Sequence, residues 1–233
     1  VQGQFWKGAY WLRLYWAAFA VVLLVLAYGL WQRGAESRFR PRLRRLPRRL
    51  KGAPGVVLAL ALATFAGSGA YIFLNTNVWN PYRTHLDDEK FQADTEKALW
   101  RFHDTPQPTI TAVKLEVAVY PHVPKVVTRG SYTIQNRTGA PLDDVHVRFP
   151  DRDLKVLGFA VQGAHEKASY GRFGYHILEF DVPMQPGESR TMTFETVREQ
   201  RGFKNGAPWT AVVDNGTFLN DFDVAPVLGM DRL

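Results

Sequence analysis

His165 and Glu166 match the first two positions of a zinc-binding signature, H-E-x-x-H. On a helix, that signature brings two imidazoles to one face as metal ligands, and the glutamate acts as general base. The fifth position here is Ser169, so the second ligand is missing. The surrounding stretch, GAHEKASYG, is typical of a hairpin loop rather than a helix. We interpret the match as coincidental and assign no metal site to it.

The remaining histidines are scattered, and no two of them have the spacing of a metal-ligand pair. His146 and His176 lie in predicted strands, where a satisfied or solvated imidazole is the simpler interpretation. The same interpretation applies to the others, which are His85, His103 and His122.

Other catalytic patterns are equally sparse. The chain has no cysteine. Ser68 lies between two glycines inside an apolar run, where helix packing explains it better than a nucleophile elbow does. Asp221 and Asp223 are two residues apart and could bind a cation, but such a pair is more typical of a turn or a strand edge. We therefore assign no catalytic, cofactor-binding or metal residue to this chain.

The elements that surround these residues begin with an apolar segment. Leu14 to Leu30 carries no charge and has the length of a helix that crosses about 30 Å of hydrocarbon. Aromatic residues flank it at both ends, as at the two headgroup levels of a membrane, which predicts a span over about 11–31. A signal peptide is excluded because the basic flank follows the run and no cleavage site appears.

A second predicted span covers about 55–75. Small residues recur in it at every fourth position, a spacing that lets helices approach closely in lipid. We expect this face to pack against helices of a larger bundle; the alternative is that alanine is simply abundant here. The small residues are Ala59, Ala63, Gly67, Ala66 and Ala70.

The basic stretch 33–51 lies between the two spans. It holds nine Arg or Lys and one Glu, which gives it a net charge of +8. Because the whole chain has a net charge of +7, the remaining residues sum to −1. Nucleic-acid binding is disfavoured, because Phe39 is its lone aromatic and stacking platforms need several. A cytoplasmic loop follows from the positive-inside rule, with contact to the lipid bilayer. Residues after 75 then lie outside, in the periplasm of a bacterial inner membrane. The glycosylation sequons at Asn136 and Asn215 are interpreted as chance turn sequences.

The stretch NTNVWNPYRT, residues 75–84, ends the second span. Its asparagines are expected to cap the helix end, and Pro81 prevents continuation. A juxtamembrane amphipathic helix is predicted over 84–104. Thr84 and Asp87 have capping-box spacing, and Asp88 and Glu89 complement the helix dipole rather than bind metal. Its apolar face contains Phe91, Thr95, Ala98, Leu99 and Phe102.

From residue 105 to 233 the hydrophobic period changes to two. In TITAVKLEVAVY, alternate residues point to opposite faces, and further short runs follow between Gly, Pro and Asn turns. Tyr132 and Ile134 share one face of the next predicted strand. The predicted fold class is thus a membrane α-helical hairpin followed by an antiparallel all-β domain, either a sandwich or a curved saddle-like sheet.

The junction IFLNTNVWNPYRT, the following LDDEKFQADTEKALWRF and the segment NGTFLN resemble one family. It comprises bacterial membrane proteins in which an ABC transporter permease is fused to a zinc peptidase of the membrane alanyl aminopeptidase type. The strands resemble the N-terminal β-domain of those peptidases. The similarity covers about residues 5 to 233.

The resemblance implies a scaffold role beside a downstream catalytic domain that would hold the zinc with H-E-x-x-H and a later glutamate. It also implies other permease helices and an ATPase subunit as partners, and no nucleic acid. NGTFLNDFDV takes the place of the family's substrate-facing motif but does not match it, so no site residue is transferred. An immunoglobulin-like binding or sensor module on a membrane hairpin is the alternative, and the sequence after Leu233 would separate the two.

Overall fold

The computed structural model describes residues 3–31, 39–206, 209–213 and 216–230. The chain forms two units. The described part of the helical unit comprises 3–31, 39–82 and 202–206, and that of the β unit comprises 83–201, 209–213 and 216–230.

The helical unit contains two long apolar helices, α1 (Gly3–Leu30) and α3 (Ala53–Phe73). They pack through aromatic rings, because Tyr15 stacks on Phe65 at 4.4 Å and Trp11 lies 4.3 Å from Tyr71. Residues early in α1 therefore meet residues late in α3, and the helices run antiparallel. By length and composition, both could cross a membrane.

The small residues predicted to pack closely are not the ones that α3 places against α1. A methyl group built on Gly67 would meet nothing within 4 Å, whereas one on Gly69 would lie 3.1 Å from Tyr15. Ala61 and Ser68 are buried, but Ala59 and Ala63 are exposed. The face predicted to pack closely is therefore uncovered in this unit, and its packing against further helices stays a prediction.

The basic connection contains a helix that the sequence analysis did not anticipate, α2 (Phe39–Arg49). Arg49 donates to the carbonyl oxygens of Gly29 and Trp31 at 2.9 and 3.0 Å. A helix leaves its last carbonyls without partners, and a cation stabilises this end of the dipole. The basic connection thus caps the helix before it.

Helix α4 (His85–Leu99) belongs to the β unit. The predicted capping box is confirmed, since Thr84 Oγ1 accepts from the Asp87 amide and the Asp87 carboxylate accepts from the Thr84 amide. These hydrogen bonds hold the pKa of Asp87 below its usual value. Leu99 is fully buried beside Tyr175 and Ile177, so the apolar face of α4 covers part of a sheet.

The β unit contains two four-stranded antiparallel sheets, which confirms the predicted fold class as a sandwich. The strands are β1 (Thr109–Tyr120), β2 (Lys125–Gln135), β3 (Leu142–Arg148), β4 (Leu154–Val161), β5 (Ala164–Tyr170), β6 (Tyr175–Met184), β7 (Ser189–Glu199), β8 (Val212–Val213), β9 (Gly216–Thr217) and β10 (Val227–Leu228). The first sheet has the order β1-β2-β7-β4 and the second has the order β10-β3-β6-β5, while β8 and β9 pair separately.

The core of the β unit lies between these sheets. The expected pair Tyr132 and Ile134 on β2 is buried and packs with Val145 and Val147 of β3. On the edge strand β1, Leu115 contacts this core, whereas Val113 and Val117 remain mostly exposed.

Candidate functional site: an asparagine clamp at the end of the apolar hairpin

The second apolar helix ends in a π-helix, Leu74–Trp79, instead of a simple cap. The wider turn of a π-helix is rare and frequently marks a functional position. Asn75 and Thr76 within it are buried, and their side chains donate to the carbonyls of Tyr71 and Ile72 at 2.8 and 2.9 Å. The expectation that asparagines satisfy the helix end is confirmed.

Two of these asparagines also hold a distant piece of backbone. The amide of Phe203 donates to Asn75 Oδ1 at 3.2 Å, and the Phe203 carbonyl accepts from Asn80 Nδ2, also at 3.2 Å. Asn80 Nδ2 donates to the Asn75 carbonyl as well, at 2.9 Å. We name Asn75, Asn80 and Phe203 the asparagine clamp.

The clamp is buried and tightly fitted. Asn75 is fully buried, and Asn80 and Phe203 are nearly so. The preceding Gly202 has a φ of +64°, a conformation that favours glycine, and a methyl group on it would lie 1.9 Å from Asn75 Oδ1. A larger residue at 202 would displace the asparagine that holds the next amide.

The Phe203 ring adds apolar contacts with the two long helices to these hydrogen bonds. It packs on Gly8 of α1, where an added methyl group would lie 3.2 Å away, and its centroid is 6.1 Å from that of Tyr71. A carboxamide offers both a donor and an acceptor, so a pair of them can bind a peptide backbone without charge. Chemically, this site recognises backbone and holds it; it contains no nucleophile or general base.

The second buried polar cluster lies in the β unit and has the composition of a triad. His146 Nδ1 lies 2.6 Å from the Tyr175 hydroxyl, and His146 Nε2 lies 3.3 Å from Asp144 Oδ1. Burial lowers the pKa of His146 against the opposing effect of Asp144, and burial raises the pKa of Tyr175. A neutral imidazole that accepts from the tyrosine and donates to the aspartate satisfies all three groups.

This cluster is structural rather than catalytic. Tyr175 is completely buried, His146 is nearly so, and the Phe102 ring stacks on Tyr175 at 5.7 Å. The His146 amide also donates to Gln107 at 2.8 Å. A substrate therefore has no access to the hydroxyl, and the cluster fixes the segment after α4 against β3 and β6.

The stretch around His165 and Glu166 is a strand, β5, and the predicted hairpin loop is wrong. The period-two geometry separates the two side chains: His165 lies 2.9 Å from Asp181, and Glu166 lies 2.8 Å from His176. Cross-strand pairing with β6 explains both contacts. Short runs that begin after a turn such as Gln162-Gly163 are ambiguous between loop and strand when their residues are polar.

The other candidates have local structural roles. Asp221 and Asp223 form a short 3₁₀ turn in which Asp223 accepts from the Asn220 amide, so the pair belongs to a turn as expected. Ser68 donates to the Thr64 carbonyl at 2.7 Å within its own helix. Asn136 is fully buried and donates to the carbonyls of Ala140 and Met184, while Asn215 lies outside the described residues.

A zinc ion has no ligand set in the part of the chain that the structure describes. No group of three or more histidine and carboxylate side chains there is arranged to hold a metal. The described residues thus do not fit a zinc ion, and the zinc that the resemblance implies would belong to a further domain.

Sequence reasoning identified the asparagines of the clamp but missed their partner. GFKN, residues 202–205, lies in a stretch that resembles the fused family, but no contact with the asparagines was predicted for it. The one available signal was the accumulation of carboxamides at a helix end, which exceeds what a single cap requires.

No family model matches this chain, and no curated protein matches it. Among solved structures, it is similar to a two-domain M1 zinc metallopeptidase mutant bound to L-tryptophan, at 12% identity and a TM-score of 0.33, over 41% of this chain and 21% of that one. An M1 zinc metallopeptidase from Deinococcus radiodurans gives 12% identity and a TM-score of 0.32 over 40% and 21%. The chitin-binding domain of a chitinase from Pyrococcus furiosus gives 19% identity and a TM-score of 0.20 over 42% and 85%. The chain spans about a fifth of the metallopeptidases' length.

Proposed function

We propose that this chain is the membrane anchor and scaffold of a permease–zinc aminopeptidase fusion in a bacterial inner membrane, with the β unit in the periplasm. The observation that carries the proposal is the asparagine clamp. The motif NTNVWN, which carries the resemblance to the fused family, is built around a specific contact with Phe203.

The anchor role is supported by the exposed surface of the two long helices. Leu24 on α1 and Leu60 on α3 are more than 60% exposed. In water such a surface would be costly, whereas in lipid it is the solvated state. The charge of the basic connection then favours its cytoplasmic placement.

The scaffold role is supported by the chemistry of the β unit. Its buried histidine cluster, His146 with Tyr175 and Asp144, is engaged in structural hydrogen bonds, so in this proposal catalysis depends on a further domain. That domain, a zinc aminopeptidase in this proposal, would rest on the sandwich and face the periplasm.

Translating the reading frame beyond the codon for Leu233 tests the proposal. We expect H-E-x-x-H with a downstream glutamate, and aminopeptidase activity of the extended protein on the outer face that a chelator removes. A further β-domain without such ligands would overturn the peptidase assignment and support the binding-module alternative.

A further inference from the structure

A cavity of about 390 Å³ lies beside the asparagine clamp, inside the helical unit. Its walls come from the start of α1, the end of α3 and the segment after Gly202. The lining is mostly apolar, with Thr76 and Lys204 among its polar residues and Ala9, Leu12, Ile72 and Phe203 among its apolar ones. Ligand cavities typically measure about 300–1,000 Å³ and combine apolar walls with few polar groups.

The length of α1 places this cavity at headgroup depth, given the membrane orientation of the proposed function. Its 28 residues extend over about 42 Å, whereas the hydrocarbon layer is about 30 Å thick. Tyr28 and Trp31 mark the inner interface, so the excess length lies at the outer end. Ala9 and Leu12 consequently lie near the boundary between acyl chains and headgroups.

The charged residues of the helical unit at this end are basic. Lys7 and Arg13 flank the cavity-lining turn of α1, and Lys204 lines the cavity itself. Basic residues near a membrane surface attract anionic lipid headgroups.

We infer that this cavity binds one anionic phospholipid, with an acyl chain against Leu12 and Ile72 and the phosphate near Lys204. The inference rests on the membrane anchorage in the proposed function. Because Phe203 forms both a wall of the cavity and a member of the clamp, a bound lipid would stabilise the clamped segment.

Native mass spectrometry of the full chain, delipidated in a neutral detergent, tests this inference. The chain is titrated with dioleoyl-phosphatidylglycerol and with dioleoyl-phosphatidylethanolamine, which has the same acyl chains without net charge. We expect saturable binding of one phosphatidylglycerol per chain and weaker binding of phosphatidylethanolamine. Equal affinity for both lipids, or binding without saturation, would overturn the inference.

Two variants locate the site. Ala9→Phe fills the cavity and should lower affinity at least tenfold, whereas Ala20→Phe on the exposed surface of the same helix should not. Lys204→Ala should lower affinity for phosphatidylglycerol about fivefold, the factor equivalent to about 1 kcal/mol. Lys114→Ala, which removes an exposed lysine of β1, is the control for Lys204→Ala and should leave the affinity unchanged. Unchanged binding in Ala9→Phe and Lys204→Ala would contradict the assignment.

Retention of the chain in membranes after alkaline extraction separates the two proposals. A chain that stays in the membrane but binds no lipid in the titration overturns this inference alone. A chain that is extracted overturns the anchorage itself and, with it, the lipid site.

Discussion

The helical unit and the β unit distribute their apolar side chains in opposite ways. In the helical unit, Leu24 is 69% and Leu60 63% exposed, while the helices touch through aromatic rings. In the β unit, Ile134 and Val145 are fully buried between two sheets. This difference supports the proposed anchorage, in which the helical unit faces lipid and the β unit faces water, because each unit would then expose the side chains that its solvent accepts.

The buried polar groups of the two units also differ, because those of the helical unit are uncharged and those of the β unit include titratable side chains. Asn75 and Asn80 use carboxamides to hold a backbone, with no charge involved. In the β unit, a titratable imidazole is held by a hydroxyl and a carboxylate. Polar contacts in the helical unit should therefore be insensitive to pH, whereas those in the β unit should not.

The largest effect is expected for core truncation in the β unit. Ile134→Ala removes a fully buried side chain and should lower the free energy of unfolding by about 2–5 kcal/mol. Urea unfolding of the full chain in detergent micelles measures this. Leu24→Ala is the matched truncation in the helical unit and should change the value by less than about 0.5 kcal/mol. A similar loss of unfolding free energy in both variants would show that the two units do not differ in how they use apolar side chains.

Loss of the clamp should have the next largest effect, and a local one. Asn75→Ala leaves the buried Phe203 amide without its acceptor, at a cost of about 1–3 kcal/mol. Hydrogen exchange of that amide should accelerate by roughly fivefold to a hundredfold. Asn77→Ala, at an exposed asparagine two residues away, should leave the rate unchanged. Equal acceleration in both variants would show that the helix end, and not the clamp, protects Phe203.

The third prediction concerns pH and the imidazole of His146. Burial lowers its pKa in the folded state, so below about pH 6.5 the unfolded chain binds a proton that the folded chain does not. Stability should therefore rise with pH through this range, by up to about 1.4 kcal/mol per pH unit below 6.5. Urea unfolding between pH 5 and 7 measures the slope.

His146→Gln provides the control for this titration. Glutamine can still accept from Tyr175 and donate to Asp144, but it does not titrate. The slope above pH 5 should become flatter, and an identical slope in the variant would exclude His146 as its source.

The smallest expected effect is at the N-terminus of α4. Thr84→Ala removes half of the capping box and should destabilise the helix by about 1 kcal/mol. The pKa of Asp87 should rise only partway toward its usual value, because the backbone amide of residue 84, which lowers it most, remains and only the hydroxyl hydrogen bond is lost. NMR titration of the carboxyl measures this shift, and Thr84→Ser should preserve both properties. A Thr84→Ala variant with an unchanged pKa would show that the hydroxyl does not contribute to the cap.

Local signals made the elements predictable from the sequence. Uninterrupted apolar runs indicated the helices, period-two alternation indicated β1 and β2, and the Thr84–Asp87 spacing indicated the start of α4. These features depend on residues close in the chain, where propensity and patterning are informative. Helix α2 was not predicted, because a basic run with two prolines, Pro41 and Pro47, is a weak helix former.

Only the asparagine side of the clamp could be predicted from the sequence. Asn75 and Asn80 are conspicuous at a helix end, whereas Phe203 contributes backbone atoms, which every residue possesses. A contact across 128 positions that uses a main-chain amide leaves no side-chain pattern in the sequence. The loop prediction for GAHEKASYG failed for a related reason, since the pairing of β5 depends on β6.

Topology labelling tests the central claim most directly, namely that a membrane hairpin with an inner basic connection presents the β unit outside. The chain contains no cysteine, so a single introduced cysteine is the only thiol that a maleimide can label. With an impermeant maleimide on intact spheroplasts, we predict that Lys114→Cys in β1 is labelled at once, whereas Arg44→Cys in α2 is labelled only after permeabilisation. The reverse pattern, or immediate labelling of both, would contradict the account.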